Sequence, residues 1–403
     1  MTIPNKGLFS LCISLFALTV LFVGCEDPGS VGSEYVNKPE LTFDTLSVEQ
    51  AEALNYNAYS GRLGFVPMGQ YSDALFGDLT IRGLVKPNRT PSIPDSIDVD
   101  DTFDLKLRLQ LDSLEVYGDT LSVSNFTVHE ITSTWRGSAL TIDDEISVGD
   151  QVGQFSLQPG QKQAIVDLSD TWIDKYKEWY NRTGVDADSS YNYGFGGLAL
   201  VADQGNSKIS FARSDGSAFI LINGMESDTT DTVDVSFRDY GYVLERGGAL
   251  NAPNTFPIHT TLEGMLKVAL PVDALRQEIQ TSNIIRADLV FYEAKDELES
   301  SLPENHQRLG LNVLNLDVLE PIDPVYEYQF GQVDFSGTSA PDESYYKINI
   351  TDYVNNVLYG NEDREELIVG AGSASGAIRS SLFFGITAPE NVRPKIIITS
   401  LVD

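Results

Sequence analysis

The 403-residue chain is poor in several residue types, and each shortage narrows what it can do. It has two cysteines, Cys12 and Cys25, both near the N-terminus. That excludes a disulfide scaffold, a cysteine-ligated zinc site and a cysteine nucleophile in the body of the protein. The three histidines, His129, His259 and His306, are far apart and lack the close spacing of a metal-ligating pair. Lys and Arg total 27 against 59 Asp and Glu, a net charge of −32. Phosphate backbones demand clustered cations, so no nucleic-acid partner is expected. The same charge argues against direct electrostatic adsorption to anionic lipid. There is no Gly-x-Ser-x-Gly elbow and no P-loop, and the glycine pairs 196–197 and 247–248 read as bends.

The N-terminus carries the most specific signal present. Lys6 precedes an apolar stretch, Leu8 to Val23, of signal-peptide length and too short to span a bilayer. It ends in Phe22-Val23-Gly24-Cys25, which resembles a bacterial lipobox: Gly24 supplies the small residue that signal peptidase II needs before the cysteine. Residues 1–24 are expected to be removed and Cys25 lipidated, which gives a stable membrane attachment. Residues 25–40 are rich in Glu, Asp, Pro, Gly and Ser and read as a flexible acidic tether.

The body reads as all-β. Leu105, Leu107, Leu109 and Leu111 alternate with Lys106, Arg108 and Gln110, the period of a strand with one buried face. Similar runs recur to the C-terminus between clusters of turn residues. One segment differs: residues 170–181 place Trp172, Ile173, Tyr176, Trp179 and Tyr180 on a helical stripe, with Ser169 or Asp170 as N-cap. A second copy lies downstream. Residues 167–170 are echoed by 349–352, 114–117 by 289–292, and 209–211 with 218–222 by 382–384 with 395–399, at offsets of 182, 175 and about 173 to 177 residues. The expectation is two tandem β-sandwich, jelly-roll-like domains, 41–228 and 229–403, each with one short helix. The acidic, Thr-rich segment 225–235 would be the linker.

Candidate binding residues are few. Trp135 and the loop tyrosines Tyr191 and Tyr193 could stack a sugar ring, or pack inward to anchor their loops. Asp95, Asp98 and Asp100 sit in one acidic loop and Asp143, Asp144 and Glu145 in another. Their oxygens suit calcium, but the spacing is not that of an EF-hand, and a solvated acidic loop is the favoured reading. No other cofactor and no catalytic residue is assigned. A glycan hydrolase would need two carboxylates ~5–10 Å apart, which sequence does not display.

Two resemblances follow from these residues. Cys25-Glu26-Asp27-Pro28 with Val31, Gly32 and Glu34, followed by Gly69, Tyr71, Asp73, Phe76 and Gly77, resembles a Bacteroidota lipoprotein family with domain of unknown function 4270. Ala74 stands where that family often has proline. The resemblance implies location and architecture and supplies no mechanism. The order of strand pair, Trp135, helix and Gly-rich strands is similar to jelly-roll modules of secreted polysaccharide-active proteins. Together they imply a non-catalytic, lipid-anchored outer-membrane protein at the cell surface or on the periplasmic face, with another envelope protein or a glycan as partner. Polysaccharide capture and glycan hydrolysis stand as alternatives.

Overall fold

The computed structural model describes residues 40–402, apart from residues 49, 55–56, 95–98, 100–101, 224–230, 249–251, 262–263, 279–282, 312, 321–328, 340–344, 360–365 and 372–374. The lipobox, Cys25, the tether, most of the expected linker and the Asp95, Asp98 and Asp100 loop therefore lie outside the described residues.

The protein is all-β, built from large antiparallel sheets with few helices. The alternation of residues 105–111 is realised in β5 (Asp104–Asp119), where Leu105, Leu107, Leu109 and Leu111 are buried. The first half also contains β3 (Phe65–Asp73), β4 (Gly77–Pro87), β6 (Ser124–Ile131), β7 (Val148–Leu157), β8 (Gln163–Asp167), β9 (Leu198–Ala202) and β10 (Lys208–Asn223). Their ladder runs β5-β10-β3-β4-β9-β6-β7, with β8 on the other side of β5. Helix α1 (Asp170–Tyr180) buries Trp172, Ile173 and Tyr176 against this sheet's core, as its stripe predicts. Ser169 is its N-cap residue but makes no side-chain capping bond.

The second half repeats the arrangement. It comprises β13 (Thr255–His259), β14 (Met265–Ala269), β15 (Asn283–Tyr292), β17 (Val313–Glu320), β18 (Gln329–Ser339), β19 (Tyr345–Asn349), β20 (Glu366–Ala371), β21 (Ser380–Phe384) and β22 (Lys395–Val402). β15 lies between β19 and β22 as β5 lies between β8 and β10. β19 leads into a helix, Thr351–Tyr359, that buries Tyr353, Val354 and Val357, the counterpart of α1. Asp167 faces Lys106, and Asn349 faces Asp288, so one displacement maps both pairs. The match of 114–117 to 289–292 is out of register with this ladder: Leu107, not Leu114, corresponds to Leu289. Leu114 sits at an irregularity after Asp112, whose carboxylate accepts its N–H, and it points to solvent.

The domain boundary differs from the expected one. Strands β11 (Asp231–Val235) and β12 (Phe237–Gly247) follow residue 229, yet they pair with β10 and β4 of the first half. Strands β1 (Glu40–Ser47) and β2 (Gln50–Leu54) precede the first half, yet they pair with β22 and β14 of the second. Each half thus receives the same two strands at the same two edges, one pair from the chain between the halves and the other from the N-terminal end. The physical reason is the same in both places. An open edge leaves a row of unpaired N–H and C=O groups, and a strand laid along it satisfies them. The expectation of one helix per half also falls short. A second helix, α2 (Ala187–Gly194), follows α1, and two further short helices, Val272–Glu278 and Lys295–Ser300, lie in the second half.

Two separate cores fill the halves, and a third joins them. Tyr71, Ile81, Tyr117, Ile209 and Phe211 of the first half pack with Leu309, Ala377 and Ile378 of the second. A two-residue strand, β16 (His306–Gln307), adds to the β5 edge by pairing with Asp119 and Gly118.

Candidate functional site

The motif Gly69-x-Tyr71-x-Asp73-x-x-Phe76-Gly77 forms the hairpin between β3 and β4, and the hairpin meets the second half. Both glycines are required by backbone shape: Gly69 has φ +136° and Gly77 φ +80°, and a Cβ at either would collide with the carbonyl of Lys208 or Gly247. Asp73 is fully buried in the turn. Its Oδ1 accepts the N–H groups of Leu75 (2.8 Å) and Phe76 (3.1 Å). Its Oδ2 accepts the hydroxyl of Tyr117 at 2.7 Å. Arg308, from the second half, closes the site as a two-pronged partner, with Nε to Oδ2 at 2.9 Å and Nη2 to Oδ1 at 2.8 Å. Burial alone would raise the Asp73 pKa. The Arg308 hydrogen bonds and charge, the Tyr117 hydroxyl and the Leu75 N–H outweigh it, so the carboxyl is held below its usual range. Burial and the Asp73 charge push the Tyr117 phenol well up.

Aromatic rings complete the cluster. Arg308 lies over Phe76, 5.1 Å from its centroid, and donates also to the Leu298 carbonyl at 2.7 Å. Tyr71 packs on Tyr117 and on His306. Phe76 packs edge-on against His259, whose Nδ1 lies 2.7 Å from Ser380 Oγ. Burial and the Arg246 charge keep His259 well below the ordinary histidine pKa, hence neutral. Two of the histidines that look unrelated in sequence are therefore neighbours of one motif. Arg379 and Glu115, 2.5 Å apart, add a second cross-domain ion pair. Every carboxylate oxygen of Asp73 is committed to a donor, so this cluster is chemically suited to latch the halves together.

The sequence-selected aromatics are placed differently from one another. Trp135 is buried, with Nε1 donating to the Gly196 carbonyl at 2.6 Å and its ring among Leu84, Ile131, Leu140 and Val243. Tyr191 on α2 is buried completely, its hydroxyl bonded to the Pro87 carbonyl. Neither presents a free ring face for stacking, because both rings supply core contacts. Tyr193 is 61% exposed. Its carbonyl, in the last turn of α2, accepts the Thr134 hydroxyl at 3.1 Å, and Thr134 is one of the residues lining an open hollow of about 340 Å³. Trp135, Arg136, Asp144 and Glu145 line that hollow. The Asp144 carboxylate there accepts the Thr141 N–H and hydroxyl, a local turn role. Among the described residues no group of three acidic, His or Cys side chains is arranged to hold a metal ion.

No family model matches the chain, and no curated protein does. Among solved structures, a chain described as "Structure of infectious bursal disease virus Gx strain" aligns over 91% of this chain and 80% of its own, at 10% identity and a TM-score of 0.12. A score that low carries no argument about this protein's fold or function.

Sequence reasoning missed Arg308, Tyr117 and Lys86. Lys86 is a fully buried lysine on β4 that donates to the Asn192 carbonyl at 3.0 Å and has its pKa pushed down to about 8 by burial. It occupies the end of an apolar run and so gave no sign of its role. Arg308 lies 235 residues from Asp73, and no local pattern links the two.

Proposed function

We propose that the protein is a non-catalytic lipoprotein of the outer membrane, anchored through lipid on Cys25, that serves as a binding or envelope-assembly component. The observation that carries this reading is the position of β1. Fourteen residues lie between Cys25 and Glu40, where the chain enters the C-terminal sheet. A stretch of that length reaches at most about 50 Å, at ~3.3–3.6 Å per residue. The anchor therefore holds a latched two-domain body close to one membrane rather than at the end of a long stalk. The lipobox and the resemblance to Bacteroidota lipoproteins support the same reading. Among the described residues no helix is long and apolar enough to cross a membrane.

Protease treatment of intact cells, with a periplasmic lipoprotein as control, tests the location. Cutting of this chain while the control survives is the expected result. Protection until the outer membrane is opened would move the protein to the periplasmic face and end the surface reading.

One observation favours polysaccharide capture as a second reading: Tyr193 is exposed, and its main-chain carbonyl is bonded to Thr134, which lines the hollow together with Arg136, Asp144 and Glu145. Sugar sites combine such a ring with a few fixed polar groups. A glycan array with the mature chain, repeated with Tyr193→Ala, decides it. Binding that the substitution abolishes supports capture, and an array without signal rejects it.

A further inference from the structure

The outward faces of the two corresponding sheets differ in chemistry. In the first half, the face formed by β11, β5 and β8 carries paired charges: Asp234 with Arg108 at 2.6 Å and Asp167 with Lys106 at 2.7 Å. In the second half the ladder register puts Phe43 where Thr232 stands and Thr45 where Asp234 stands. Leu41, 52% exposed, and Phe43, 73% exposed, lie on this face of β1. They align with the partly exposed Leu401 and Thr399 on β22, and Ile397 continues the row.

Cations flank this apolar strip. Arg286 and Lys347 both hold Asp288, whose side chain is only 2% exposed. Lys395 lies over the ring of Tyr292, which packs on Tyr345. Among the described residues on this face of β1, β22, β15 and β19, Asp288 is the sole carboxylate, and its neighbours cover it. Exposed Phe and Leu beside Tyr, Lys and Arg is the composition of a surface that rests in a lipid interface. In a chain of net charge −32 a face with a single, covered carboxylate is little repelled by phosphate headgroups. Its edge strand, β1, is the first element after the tether that begins at Cys25.

We propose that this face of the C-terminal sheet lies against the bilayer to which the protein is anchored. The proposal rests on the lipid-anchor reading above. The anchor supplies proximity and the face supplies orientation.

The mature chain has Cys25 as its one cysteine, so an engineered cysteine is the only free thiol once Cys25 is acylated. The lipidated full-length product carrying Phe43→Cys, Leu401→Cys or, as control, Thr232→Cys is labelled with an environment-sensitive fluorophore. It is then reconstituted into phosphatidylethanolamine/phosphatidylcholine vesicles with and without brominated lipid. The expected result is a blue shift and bromine quenching at positions 43 and 401 and neither at 232. Adding Lys347→Glu and Lys395→Glu to the 43-labelled protein should weaken the quenching while the protein still floats with the vesicles. If the protein does not float, the anchor reading fails and the proposal falls with it. If it floats but positions 43 and 232 are equally solvated, the anchor stands and the membrane-facing surface is overturned.

Discussion

Replacing Asp73 with alanine should loosen the joint between the two halves. The substitution strands the Arg308 guanidinium, whose side chain is 6% exposed, and removes the acceptor of the Tyr117 hydroxyl and of the Leu75 and Phe76 N–H groups. Breaking a buried ion pair from one side costs about 3–5 kcal/mol, because the remaining charge stays desolvated. Arg308 keeps the Leu298 carbonyl and the Phe76 ring, which softens the loss without cancelling it. Replacing both partners by apolar residues, Asp73→Leu with Arg308→Met, should recover much of that loss, since paired removal leaves no orphaned charge. The assay is urea unfolding of the mature chain made without lipid as Cys25→Ser, followed by tryptophan fluorescence. The single variant should lower the midpoint, and the double variant should be less destabilised than the sum of its parts. A loss below about 1 kcal/mol for Asp73→Ala, within the range of an exposed ion pair, would refute the latch. So would additive single variants. The pH dependence carries the same sign. A carboxyl held below its unfolded pKa contributes stability that is present above the usual aspartate range and disappears as pH falls through the folded value.

Three other expectations follow from the same structure. Deleting residues 40–54 removes β1 and β2, so hydrogen exchange should accelerate in β22 and β14 while β5 and β10 keep their protection; unchanged protection of β22 would show that the edge needs no partner. Lys86 titrates at about 8 folded against 10.5 unfolded, so the unfolded chain binds the extra proton between those values. Stability should therefore rise from pH 8 to 10, by up to about 3 kcal/mol, and Lys86→Met should remove most of the rise; a flat wild-type profile in denaturant titrations contradicts this. Finally, a net charge of −32 is self-repelling and screened by counter-ions, so the unfolding midpoint should climb with sodium chloride into the molar range, and a midpoint independent of salt would show that repulsion is not limiting.

The parts legible in the sequence were those written in local periodicity. Leu105 to Leu111 declared a half-buried strand, and Trp172, Ile173 and Tyr176 declared a helix face, because burial on one side imposes periods of two and 3.6. The likeness of the two ladders was visible because corresponding elements kept their order. The exchange of edge strands was not. β1 pairs with β22 from the opposite end of the chain, and main-chain ladders leave no side-chain signature of their partner. The same holds for the latch: Asp73 stood out through its glycine-flanked turn, whereas Arg308 sits in a loop with no periodic neighbours. For Trp135 and Tyr191 the sequence left stacking and inward packing both open, because local pattern does not reveal packing partners, and their burial decides for packing.

The attachment of the chain to a membrane through Cys25 is the claim on which the functional account stands. Intact-mass and N-terminal peptide analysis of the protein purified from membranes tests it most directly. The expected result is a mature chain that begins at Cys25 and carries a diacylglyceryl group on its sulfur. A chain that retains Met1, or one cleaved elsewhere with a free Cys25 thiol, would contradict it.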